Sequence, residues 1–222
     1  MAIKKVSVKK RKKNWYEIVS PDVLDNRFIG ESLVYEAKEL MGKTIKVNLS
    51  TLLNDMKKQG IDAGFKVISI KDNKAITDIT GIYQTNSSLK RLVRRGRDKV
   101  EDSFLARTKN NKTVRIKPII ITNSKTTKSA ITTIRLEAKK LLLRKAKSTN
   151  HDAFFKELIH QRIQKELKDI LSKIYPLRFV DIRQAYLEDP KLKKVEEVQE
   201  EAPKKEELKE ESQADNLEHA QV

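Results

Sequence analysis

Residues 65–83 read FKVISIKDNKAITDITGIY, and in this stretch the segments Phe65 to Ile70 and Ala75 to Tyr83 flank the pair Asp72-Asn73. Asn and Asp are the side chains that best tolerate the positive φ angles of a two-residue hairpin turn, so the stretch predicts two antiparallel strands. The pattern repeats outward. Phe104 to Thr108 and Thr113 to Ile121 flank Asn110-Asn111 in the same way, and Ile45, Val47 and Leu49 alternate with Thr44, Lys46 and Asn48. With further strands near Trp15 and Leu33, about six or more are expected, which predicts an antiparallel barrel or sandwich.

Helical periods interrupt and follow this sheet, making the fold class α+β. Ser50 is placed to cap a short helix through Met56, and Ser87 or Ser88 another through Arg95, ended by Gly96. Ile131, Ile134, Ala138, Leu141 and Leu142 share one face of a long amphipathic helix. Phe155, Ile159, Ile163, Leu167, Ile170 and Ile174 share a face of a second, stopped by Pro176. Residues 178–187 return to strand, with Val180, Ile182 and Tyr186 on one side.

Charge divides the chain. The 222 residues carry 48 Lys and Arg against 31 Asp and Glu, a net +17, yet residues 191–222 are acidic, with six Lys against ten carboxylates. The rest therefore bears a net +21. A body so charged repels itself and is most naturally held beside a dense polyanion, where each neutralised phosphate releases counterions. Residues 1–13 read as a disordered basic arm, 14–190 as a folded RNA-binding domain, and 191–222 as a disordered acidic tail. Aromatics are only 5% of residues, so the core must be aliphatic and has little room for a deep aromatic ligand site. Cysteine is absent, which excludes disulfides and thiolate metal sites. No run approaches the roughly 18 apolar residues of a membrane span, and no signal peptide is read, so a soluble cytoplasmic protein without a membrane partner is expected.

The basic residues cluster. In the arm stand Lys9, Lys10, Arg11, Lys12 and Lys13, for which a nuclear-localisation signal is the competing reading. The densest group is Lys90, Arg91, Arg94, Arg95, Arg97 and Lys99, with only Asp98 opposing. On a helix the i,i+4 pairs Lys90/Arg94 and Arg91/Arg95 repel, and phosphates lying along them would reverse the sign. Arg107, Lys109, Lys112, Arg115 and Lys117 line the Asn110-Asn111 hairpin, where edge protection against aggregation is the alternative role. Lys140, Arg144 and Lys147 sit opposite the apolar stripe of the first long helix, with Lys128, Arg135 and Lys139 along one flank.

Trp15, Tyr16, Tyr35 and Tyr83 are scattered rather than paired on adjacent strands, so they read as core, and binding is expected through shape and backbone. Gly42-Lys43-Thr44 resembles the end of a phosphate-binding loop, but Ala37 replaces the required first glycine and a strand follows where a helix is needed. His151, His160 and His219 lack ligand spacing and read as surface or capping residues. No catalytic residue, cofactor or metal is assigned. An enzyme acting on nucleic acid would need clustered carboxylates for metal ions, and the densest acidic stretch is the tail.

The order Lys12-Lys13-Asn14-Trp15-Tyr16-Glu17-Ile18, then Val47-Asn48-Leu49-Ser50-Thr51-Leu52, then Lys173-Ile174-Tyr175-Pro176-Leu177, resembles the S-one-e (S-three-a-e) family of small-subunit ribosomal proteins, in its archaeal form. The resemblance spans about residues 10 to 190, and the combination carries it rather than any one motif. It implies a barrel-like body with helices, a place on the small-subunit platform near the messenger exit, and no catalysis. The implied partners are small-subunit ribosomal RNA, neighbouring small-subunit proteins and messenger RNA at the exit. A free regulatory RNA-binding protein is the alternative.

Overall fold

The computed structural model describes residues 12–188; the arm residues Lys9, Lys10 and Arg11, the acidic tail and His219 lie outside them. Nine strands and five α-helices follow one another: β1 (Asn14–Val19), β2 (Phe28–Val34), β3 (Thr44–Asn48), α1 (Leu49–Leu53), β4 (Ile61–Lys71), β5 (Lys74–Gln84), α2 (Asn86–Leu92), β6 (Lys99–Glu101), β7 (Phe104–Arg107), β8 (Thr113–Thr122), α3 (Lys128–Ser148), α4 (His151–Ile159), α5 (Arg162–Leu171) and β9 (Leu177–Leu187).

The deciding hairpin forms as its sequence requires. Asp72 and Asn73 take φ angles of 47° and 61°, and β4 and β5 pair antiparallel up to Lys71 opposite Lys74. The sheet as a whole differs from expectation. It is open and branched, running β2-β1-β5-β9-β8-β6, with β4 also on β5, β3 on β4, and β7 on β8. It neither closes into an antiparallel barrel nor is wholly antiparallel, because β1 enters parallel to β5, Glu17 to Val19 against Lys74 to Ile76. Alternation in a single strand fixes which side chains are buried but not which strand lies beside it.

The N-terminal strands β1–β5 meet the C-terminal strands β6–β9 at one seam, where Gly81, Ile82 and Tyr83 of β5 face Tyr186, Ala185 and Gln184 of β9. Gly81 is required there. A Cβ at this position would lie 2.7 Å from Tyr186 Cβ and 2.8 Å from the Ala185 carbonyl oxygen. Beside the seam, β9 carries a bulge. Lys117 faces Gln184 and Pro118 faces Ile182, leaving Arg183 as an extra residue. The bulge reverses the alternation, so Val180 and Ile182 point to the core whereas Tyr186 points away, against its expected side, and stacks on Tyr83 with ring centroids 6.2 Å apart.

The helices cover one side: α3 lies on β7, α4 on β5 and α5 on β9. Between them and the sheet, Ile134, Ala138, Leu142, Phe154, Phe155, Ile163, Leu167 and Leu171 join Phe65, Ile79, Phe104, Val114, Ile116 and Ala185 in the main core. The second expected long helix is two, broken where His160 ends α4 and Gln161 takes a left-handed φ of 58°. The break turns α5 so that Leu171 is buried while Ile170 and Ile174 are exposed. A smaller cluster of Tyr16, Ile18, Val34, Leu40, Val67 and Ala75 fills the β1–β2 end. Trp15 and Tyr35, expected in the core, are 62% and 44% exposed. On β1 the outward parity of Trp15 alternates with the inward parity of Tyr16. The short helix α1 is capped by Asn48, whose side chain accepts from the Ser50 N–H at 2.9 Å, rather than by Ser50.

One buried charge interrupts the main core. Asp181 is 6% exposed, accepting from the Ile182 N–H at 2.7 Å and from the side-chain amides of Gln84 and Gln164 at 3.2 and 3.3 Å. Burial raises its pKa, and these hydrogen bonds only partly oppose the rise. Below the ordinary carboxylate range the group is neutral in both folded and unfolded chains. As pH rises the unfolded chain ionises first, so this group lowers stability progressively up to its raised folded pKa. The amide oxygens of Gln84 and Gln164 have no partner. Asp181→Asn removes the charge and supplies an N–H for one of these oxygens, and is expected to stabilise the fold by roughly 1 kcal/mol at neutral pH. Thermal melts at neutral and acid pH check this: the gain should vanish near pH 3, and a lower melting temperature at pH 7 would contradict it.

Candidate nucleic-acid interface

The densest basic run is displayed where β5 gives way to β6. Thr85, in an extended conformation, precedes α2, and Leu89 anchors that helix in the core. Lys90 and Arg91 occupy its exposed last turn, where cations also favour the helix dipole. The helix ends at Leu92, three residues before the expected Arg95. Val93 turns to φ −81°, ψ 113°, and Arg94, Arg95 and Gly96 form an exposed turn, with Gly96 at φ +81°. A longer helix would have stacked Lys90 on Arg94 and Arg91 on Arg95; ending it at Leu92 spreads the four charges instead.

The only acid of the run is occupied. Asp98 donates its N–H to Thr122 Oγ1 at 2.9 Å, and its carboxylate accepts from the Thr126 N–H at 2.7 Å, pinning the loop to the end of β8. Lys99 pairs with Glu101 at 3.0 Å. Among the described residues no carboxylate lies within 4.0 Å of Lys90, Arg91, Arg94, Arg95 or Arg97. Arg97 is half-buried, and its Nη1 has no hydrogen-bond partner.

The hairpin cluster divides. Arg107 and Lys109 are exposed near its tip, where Asn111 takes φ +57°. The others are engaged within the protein. Lys112 Nζ lies 3.3 Å from both Asp78 Oδ2 and His151 Nδ1. Arg115 donates to both oxygens of Glu188, at 2.7 and 3.0 Å, which raises its pKa. Lys117 donates to Gln184 Oε1 at 3.1 Å and stands 5.4 Å from the centroid of the Tyr186 ring. Alternation places Val114 and Ile116 in the core as expected, but the opposite face is a paired surface, not a bare cationic one.

On α3, Lys140, Arg144 and Lys147 are exposed opposite the buried Ile134, Ala138, Leu142 and Ala146. Lys145, on the inner side, is held by Glu166 at 2.9 Å. Of the arm, Lys12 and Lys13 are described and exposed, and the Lys13 ammonium lies 5.0 Å from the centroid of the Tyr35 ring. The fold also brings together cations that lie outside the basic runs. Lys165, Lys168 and Arg178 line a hollow of about 160 Å³ between α5 and β9. They stand singly in the sequence, two on one helix and one on a strand, so no run marks them.

Asp78, His151 and Asp152 form the cluster among the described residues with metal-ligand character, their ligand atoms within 4.8 Å of one another. His151, expected to be a surface or capping residue, is fully buried in the first turn of α4. Its Nδ1 lies 2.9 Å from Asp152 Oδ1. The Lys112 ammonium stands against Asp78 and His151 and so supplies the positive charge that this group would otherwise take from an ion. Gly42-Lys43-Thr44 leads directly into β3, so no helix N-terminus follows to face a phosphate.

The model of the ribosomal S3Ae family matches residues 2–190. The small ribosomal subunit protein eS1 of Nanoarchaeum equitans is 30% identical over 188 residues, covering 85% of this chain and 95% of that protein. Its counterpart in Saccharolobus islandicus is 30% identical over 170 residues, covering 77% and 82%. That of Halorubrum lacusprofundi is 28% identical over 192 residues, covering 85% and 87%. These matches extend over most of each chain, and by them this chain belongs to the ribosomal S3Ae family.

Proposed function

We propose that this chain is a structural constituent of the small ribosomal subunit that binds ribosomal RNA and fixes RNA segments relative to one another. The observation that carries the reading is the sorting of charge: carboxylates hold Lys112, Arg115 and Lys145, while Lys90, Arg91, Arg94, Arg95 and Arg97 are left without acidic partners among the described residues. Such a surface is electrostatically unfavourable alone and favourable against phosphates.

The interface centres on residues 90–97, extends to Arg107 and Lys109 at the hairpin tip and to Lys140, Arg144 and Lys147 on α3, and includes the basic arm. Arg115, Lys112 and Lys117 contribute a weaker positive field from within their pairs. In line with the family, the platform near the messenger exit is the proposed location, in the cytoplasm, with neighbouring ribosomal proteins and messenger RNA within reach. The role involves no reaction and no cofactor. No helix among the described residues is long and apolar enough to cross a membrane.

Titration of RNA affinity against salt tests the electrostatic basis. Log K should fall linearly with log salt, by about 0.7 per neutralised phosphate on single strands and about 0.9 on a duplex. A slope near zero would remove that basis.

A further inference from the structure

Arg97 is placed in a way that simple surface exposure does not explain. Its Nη1 is buried from solvent yet has no hydrogen-bond partner. The neighbouring carboxylate of Asp98 is turned to the Thr126 N–H. Among the described residues no acid compensates it, and like charges bear on it. Its pKa is lowered first by loss of solvent and then by the positive charges of Arg178 and Arg94. The sheet brings these together from distant sequence: Lys99 of β6 and Phe179 of β9 both pair with Ile121 of β8, so the residues just before Lys99 and Phe179 flank the same end of β8. Arg178 also opens on the hollow lined by Lys165 and Lys168. Asp181 lines that hollow too, but its oxygens are directed to the Ile182 N–H and the Gln84 and Gln164 amides.

An unpaired buried guanidinium donor on Arg97, with the charges of Arg94 and Arg178 bearing on it and the carboxylates of Asp98 and Asp181 turned elsewhere, makes a place for an anion with several oxygens. We propose that Arg94, Arg97 and Arg178 together bind one phosphate group, a phosphodiester of an RNA backbone, and that Lys168 and Lys165 receive the phosphates that follow along the strand. Arginine suits this role because its fork matches two phosphate oxygens at once. The path leads off the basic run and across β9 to α5, giving the RNA a direction over the surface. The inference rests on the proposed function for the source of the phosphate, though not for the chemistry of the site.

Melting of the full chain in inorganic phosphate, against chloride at equal ionic strength, tests the site without RNA. Phosphate at saturation should raise the wild-type melting temperature by about 2–4 °C. Arg97→Ala should abolish that increment while melting no lower than wild type in chloride, since it removes an unpaired buried donor. Arg178→Ala provides an independent variant, expected to lose most of the increment. In the RNA arm, Arg97→Ala should cost roughly tenfold in affinity and Arg91→Ala, an exposed phosphate contact, roughly twofold. Coincident wild-type melting temperatures in phosphate and chloride, or an undiminished increment in Arg97→Ala, would overturn the site. Equal RNA losses for the two variants would overturn RNA as the source of its phosphate. If the phosphate increment stands but the wild type binds no RNA, the site survives and the ribosomal reading fails.

Discussion

Replacing Arg94 and Arg95 together with alanine is expected to lower RNA affinity between roughly tenfold and a hundredfold near 0.1 M salt, and to flatten the salt dependence of binding by about 0.7 per lost phosphate contact. Both side chains project from the turn between α2 and β6 without an acidic partner. Their loss removes charge that the fold does not use, so the melting temperature should not fall. Arg115→Ala provides the contrast. Its guanidinium is committed to both oxygens of Glu188, and removing it strands that carboxylate at the end of β9. It should cost stability with little change in the salt slope. If Arg115→Ala flattened the slope as much as the Arg94/Arg95 pair does, the division into engaged and available cations would be wrong.

Gly81→Ala is expected to be among the most disruptive single-methyl additions in the protein. The new Cβ would meet backbone as well as side chain, the Ala185 carbonyl oxygen at 2.8 Å and Tyr186 Cα at 3.0 Å, and neither can rotate away. Only three residue pairs join β5 to β9. Separating them breaks the sheet between the N-terminal and C-terminal strands and opens the core beneath Ile82 and Ala185. The cost should be about 2–3 kcal/mol in denaturant unfolding, the range for overpacking a dense interior. The same substitution at Gly30, whose Cβ would meet nothing within 4 Å, should be nearly silent. Equal effects at both positions would show that the seam yields.

What could be read from the sequence was local. Asp72-Asn73 announced its hairpin because the turn chemistry is contained in two residues, and α3 announced itself through a stripe repeated over several turns. Features that depend on distant partners were hidden. The parallel entry of β1 beside β5, the bulge at Arg183 that turns Tyr186 outward, and the break at Gln161 all arise from how elements meet. Periodicity carries no information about such meetings.

The proposed interface shows the same limit. Runs of Lys and Arg mark residues 90–97 as a concentration of charge, but counting charges could not reveal that Arg115 would find Glu188, 73 residues away in sequence. Nor could it reveal that β6 and β9 would flank the same end of β8 and bring the charge of Arg178 to bear on Arg97. Charge density along a chain is a sequence property, whereas available charge is a property of the fold.

Co-sedimentation with small ribosomal subunits through a high-salt cushion tests the central claim most directly. A structural constituent holds its RNA through many phosphate contacts and packing within the particle, so the chain should remain at about one copy per subunit as salt rises, and the Arg94/Arg95 variant should be released at lower salt than wild type. Release of the wild type from the subunits at moderate salt, with the protein recovered free or on other RNA, would contradict the claim and identify a free RNA-binding protein instead.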